Sequence, residues 1–120
     1  MTVLTLVHGG SRLARESAIA AALKRGRNNA AIVEGLASSD SPLDALATAN
    51  EMRLFRVAAG CPCCSGNLTM RVTLNRALRR PPDHLYLSLA NTAHKASVLK
   101  FLQEEQYSSL LELGGEIDCG

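Results

Sequence analysis

Tryptophan is absent, and the aromatic side chains are two Tyr and two Phe, 3% of the chain. A core made from this sequence is therefore built on Leu, Val, Ile and Ala. No apolar run reaches the ~18 residues of a membrane-spanning helix. No basic stretch followed by an apolar run and a cleavage site opens the chain, so no signal peptide is expected. The expected compartment is the cytoplasm, where thiols stay reduced. The formal net charge is only +2, too small to argue for a nucleic acid or membrane partner. Internal repeats, linkers and low-complexity segments are lacking too. What is present is 47% hydrophobic residues in a chain of 120, enough for one folded domain over residues 1–120.

The apolar runs alternate in kind. Thr2 to Val7 is β-branched and apolar on both faces, as a buried parallel strand is. His8-Gly9-Gly10-Ser11 follows, with glycines that permit tight backbone geometry and a serine that can cap a helix. That helix is expected from Arg12 to Arg25, burying Leu13, Ile19, Ala20 and Leu23. Ala30 to Val33 reads as a strand. Ser41-Pro42-Leu43-Asp44 reads as a helix start, with a capping serine and proline at the first helical position. Leu54 to Ala59 is the third strand. A helix from Leu68 to Arg80 ends in Arg76, Arg79 and Arg80, where the dipole favours cations, and Pro81-Pro82 stops it. The arginines read as a solvated helix end, not a nucleic-acid patch. His84 to Leu89 is the fourth strand, Ala93 to Glu105 the next helix, and Leu110 to Leu113 and Glu116 to Asp118 are each candidate strands. The pattern predicts a three-layer α/β/α fold with a mostly parallel sheet of about five strands.

Between the third strand and its helix lies Gly60-Cys61-Pro62-Cys63-Cys64, three of the four cysteines within four positions. Working loops of a parallel sheet sit at the C-terminal ends of its strands. This gathers His8, His94, Cys61, Cys63, Cys64 and Cys119 on one edge and leaves His84 on the other. Clustered thiolates suit Zn²⁺ or a similar soft divalent metal in tetrahedral geometry. Cys61, Cys63 and Cys64 supply at most three ligands. The fourth is sought among His8, His94, Cys119, water or a second subunit, and dimerisation through the loop would share the site. Two readings stand beside this one: packing of some cysteines as small apolar residues, and a redox pair at the Cys61–Cys64 spacing. Gly9, Gly10 and Ser11, with Arg12, form a candidate anion nest at a helix N-terminus, or simply a capped turn.

The Gly60-Cys61-Pro62-Cys63-Cys64 loop resembles the Gly-Cys-x-Cys-Cys signature of the CobW-type metal-handling GTPases. Thr2-Val3-Leu4-Thr5 is similar to the strand entering that family's phosphate loop. Ala31-Ile32-Val33-Glu34 is similar to its strand before the first switch region, and Pro82 to Leu87 to its fourth core strand. The likeness runs to about Asp118, and its one specific motif is the cysteine loop. It implies a P-loop-NTPase-like domain, but the phosphate-loop lysine and hydroxyl positions fall on Arg12 and Leu13, or on Glu16 and Ser17 in a shifted match. Ser88-Leu89-Ala90-Asn91 stands where the family's Glu-x-x-Gly turn would be. GTP hydrolysis with Mg²⁺ by the usual route is thus not expected. A smaller likeness, Leu6-Val7-His8-Gly9-Gly10-Ser11-Arg12, is to the cobaltochelatases of sirohydrochlorin, with Ala93-His94 imitating a second histidine.

The leading expectation is a metal-binding pseudo-GTPase domain in metal delivery, sensing or cofactor assembly. Residual GTP or ATP binding, a small tetrapyrrole chelatase, and a non-catalytic partner of a complete CobW-type GTPase are the alternatives. A homodimer is compatible with the first.

Overall fold

Each apolar run becomes a strand of one sheet, and every adjacent pair is parallel. The computed structural model describes residues 2–23, 28–35, 41–49, 51–57, 65–90 and 95–120, with 65–69 described by their backbone. In chain order the elements are β1 (Thr2–His8), α1 (Arg12–Ala22), β2 (Asn29–Glu34), α2 (Pro42–Thr48), β3 (Arg53–Val57), α3 (Ser65–Leu78), β4 (His84–Ser88), α4 (Lys95–Leu102), α5 (Glu105–Ser108) and β5 (Leu111–Asp118). The strand order is β3-β2-β4-β1-β5. Among the described residues, no helix is long and apolar enough to cross a membrane.

Alternation along the buried strands builds two cores, one on each face of the sheet. Leu4, Leu6, Ala30, Ile32, Leu85 and Leu87 point to one side, where Met70, Leu74 and Ala77 of α3, Val98 and Phe101 of α4, and Tyr107 of α5 cover them. Val7, Ala31, Val33 and Tyr86 point to the other, under Ile19 of α1 and Leu43 of α2. The expected three-layer α/β/α fold is the one observed. Burying each such aliphatic side chain contributes about 1.5–3 kcal/mol, and a sheet covered on both faces needs apolar residues at successive positions.

Local details depart from the sequence reading. Helix α1 stops at Ala22, with Leu23 as its C-cap. Leu13 is 41% exposed, not buried. Six residues separate it from Ile19, which at 3.6 residues per turn leaves the two about 120° apart. The buried stripe instead runs through Arg15, Glu16 and Ile19. The two candidate strands near the C-terminus are one, β5, with a register shift. Leu4 pairs with Leu113 and Thr5 with Gly115, so Gly114 is bulged out. A side chain at Gly114 would run into Val3, so the bulge needs glycine there.

The strand order also fixes where a crevice opens. β1 leads into α1 on one face, whereas β4, its neighbour, leads into α4 on the other. Adjacent strands whose exits diverge leave a gap at their C-terminal ends, the usual ligand position in open α/β sheets.

Candidate functional site

The turn after β1 lies at that crevice. Gly9 and Gly10 have φ of 78° and 62°, a region that glycine occupies without strain. The Asp118–Gly120 segment packs directly on them. A Cβ at Gly10 would lie 2.6 Å from the Cys119 carbonyl oxygen, and the Cys119 N–H donates to the His8 carbonyl at 2.8 Å. The Ser11 hydroxyl accepts from the Ala14 N–H at 3.0 Å, so it caps its own helix as expected. Arg15, one helical turn on, is 4% exposed. Its guanidinium donates to the Gly9 and Gly10 carbonyls at 3.2 and 2.8 Å and to Ser88 Oγ, at the end of β4, at 3.2 Å. The crevice between β1 and β4 is thus bridged by an arginine of the chain itself. Arg12 turns along the helix, donating to Glu16 Oε2 at 3.2 Å.

A buried ionic cluster lies beside it, and the sequence reading did not find it. Glu16 has no exposure. Arg56, the penultimate residue of β3, donates to both its oxygens, at 3.1 and 2.9 Å, and to both oxygens of Asp44, at 3.3 and 2.8 Å. Ser41 also donates to Glu16 while capping α2 through the Leu43 N–H. Burial pushes the Glu16 carboxyl up, but hydrogen bonds from Arg56, Ser41 and Arg12 outweigh it and hold the group below its ordinary range. Asp44, in the first turn of α2, is bound by Arg56. The one available signal was a lone charge inside the apolar run Leu54-Phe55-Arg56-Val57.

His8, 6% exposed, closes β1 on the face of α4. Its Nε2 lies 3.2 Å from Glu116 Oε2 of β5, and Lys95 Nζ of α4 lies 2.7 Å from the same oxygen. The Lys95 hydrogen bond, aided by that of His8, holds the Glu116 carboxyl below its ordinary range. Cys119 points to the opposite face, packing against the α1 side with its Sγ 3.9 Å from the Ala14 carbonyl. His8 and Cys119 therefore share a sheet edge but lie on opposite faces.

Cys61, Cys63, Cys64 and His94, the expected ligands, lie outside the described residues. β3, which the three cysteines follow in sequence, is the strand at one side of the sheet. His8, at the end of β1, stands three strands from β3, about 14 Å at the usual spacing. Glu34, at the end of β2, is in register with Val57 of β3, which precedes Cys61 by four residues in sequence. Glu34 is 6% exposed, and its Oε1 accepts from the Ala90 N–H at 3.0 Å. Among the described residues its second oxygen has no hydrogen-bond partner. No group of three His, Cys, Asp or Glu side chains arranged to hold a metal ion occurs among the described residues.

No protein-family model, curated protein or solved structure matches the chain.

Proposed function

We propose that the protein binds a soft divalent metal ion, Zn²⁺ or one like it, through Cys61, Cys63 and Cys64, and acts in metal delivery, sensing or cofactor assembly without turning over nucleotide. The observation that carries this reading is Glu34. A buried carboxylate with one oxygen spare ends the strand paired to β3, and the three-cysteine loop follows β3. Thiolates with a carboxylate form a donor set that Zn²⁺ accepts. Glu34 would supply the ligand the loop lacks, and the Ala90 N–H would orient it from outside. The metal itself would bring together loop and strand end; binding would release the thiol protons.

The Gly9-Gly10 turn supports the absence of nucleotide chemistry. Its carbonyls accept from Arg15, its glycines are covered by Asp118 and Cys119, and the nearby Asp118 carboxylate opposes a phosphate. The likeness of the cysteine loop to CobW-type domains agrees with metal handling, and a domain of that type stripped of its phosphate loop fits both observations.

Titration of the reduced protein with Zn²⁺ tests the reading. Wild type takes up metal, the Cys61→Ser/Cys63→Ser/Cys64→Ser variant does not, and Glu34→Gln binds at least about tenfold more weakly, as loss of a ligand or its support does. Full binding by the triple variant rejects the loop as the site. Unchanged binding by Glu34→Gln rejects the carboxylate and leaves a site of thiolates alone.

A further inference from the structure

The strand order sorts the chain's charges in a way that its small net charge conceals. Along the N-terminal edge of the sheet, β3 begins at Arg53, α3 ends at Leu78 with Arg76 in its last turn, and Arg79 and Arg80 follow before β4. Arg53 donates to the Arg80 carbonyl, which draws the two segments together. Asn29 of β2 pairs with His84 of β4, and Ala30 with Arg53, so all these starts lie on adjacent strands. Four of the 13 Lys and Arg residues, Arg53, Arg76, Arg79 and Arg80, thus belong to this edge, against the acids Glu51 and Asp83 among the described residues. Asp83 is engaged with the Asn28 N–H at 3.0 Å.

The basic residues elsewhere are largely neutralised: Arg12 and Arg56 on Glu16, Arg71 on Glu104, Lys95 on Glu116. By contrast, among the described residues no carboxylate pairs with Arg53, Arg76, Arg79 or Arg80. Burial and the charge of Arg80 lower the Arg53 pKa, as crowded cations do.

We propose that this edge, formed by Arg53, Arg76, Arg79 and Arg80 beneath β3, β2 and β4, docks on the phosphate backbone of a nucleic-acid duplex without reading its bases. The chemistry of the surface selects among polyanions. An acidic protein partner or a membrane calls for apolar anchors at the centre or boundary of the contact. The large exposed apolar side chains among the described residues are Leu13, Val72, Leu110 and Leu113; none belongs to β3, β2 or β4, while Val72 lies on α3 one turn before Arg76 and Leu110 precedes β5. Single strands call for aromatic platforms. Phe55 packs into the core and Tyr86 is buried. What remains is a set of guanidiniums, whose planar forks fit phosphate oxygens. The inference is independent of the proposed metal site, whose described carboxylate, Glu34, closes β2 at the other end of the strands.

The test is fluorescence anisotropy of the full chain with a labelled duplex of mixed sequence, read across a salt series. With about four phosphates neutralised, log K falls against log salt with a slope of about −3.6, roughly 100-fold between about 50 and 200 mM. Arg76→Ala/Arg79→Ala/Arg80→Ala flattens the slope to about −1 and weakens binding at least about tenfold. These side chains are exposed, so circular dichroism should report an unchanged fold. Lys100→Ala, on α4, changes binding less than about twofold. No duplex binding at low salt, binding the triple variant retains, or equal binding to anionic vesicles or polyglutamate overturns the proposal.

Discussion

Glu16 is the residue on which the α1, α2 and β3 segments converge, and its placement inverts what a hydrophobic pattern suggests. A carboxylate with no exposure is tolerable only because three neighbours donate to it. Arg56→Ala leaves that charge buried with its main partner gone, and chemical denaturation should register a loss of about 3–5 kcal/mol. Glu16→Gln strands Arg56 less severely, since Asp44 still binds it. The same carboxyl fixes an acid response. Its folded pKa lies below the ordinary 4.5, so its contribution is complete above that value and disappears as pH falls through the folded one. The denaturation midpoint should therefore drop on going below about pH 4.5, by less in Glu16→Gln than in wild type. An equal drop in both would assign the acid response elsewhere. This cluster was not legible in the sequence, because Glu16 and Arg56 lie 40 residues apart and nothing local pairs them. Leu13 was misread for the converse reason: helix phase, set by the buried Arg15 and Glu16, outweighed its hydrophobicity.

At the scale of elements, most of the architecture was legible because its signals are local. Ser11 and Ser41 cap the helices they precede, Pro42 opens α2, and Pro81-Pro82 follows the end of α3. The β5 strand was only half visible. Its two glycines break the apolar run, and the pairing with β1 that joins the halves is a long-range fact. The turn after β1 is the element where geometry is least forgiving. Gly10 combines a left-handed backbone with the Cys119 carbonyl oxygen 2.6 Å from any added Cβ. Gly10→Ala should lower stability by about 2 kcal/mol and loosen the Asp118–Gly120 segment, seen as faster amide exchange at Cys119. Unchanged exchange there would mean that the tail is held without the turn.

Over the whole molecule, the fold class followed from strand–helix alternation, but the order β3-β2-β4-β1-β5 did not, and the order decides which groups can cooperate. A single-edge picture grouped His8, Cys119 and the cysteine loop. The sheet keeps the edge yet separates His8 and Cys119 by face, and sets both strands from β3, while bringing Glu34 beside it. It likewise gives the sheet two distinct ends, with arginines paired to no described carboxylate at the strand starts and Glu34 among the strand exits. The central claim is that the loop holds a metal. Metal analysis of anaerobically purified protein, alongside its oligomeric mass, tests it most directly. The account predicts bound Zn²⁺ or a similar divalent ion in wild type, at one per chain or one per dimer, and its loss in Cys61→Ser/Cys63→Ser/Cys64→Ser. Wild-type protein that is metal-free and takes up none under reducing conditions would contradict it.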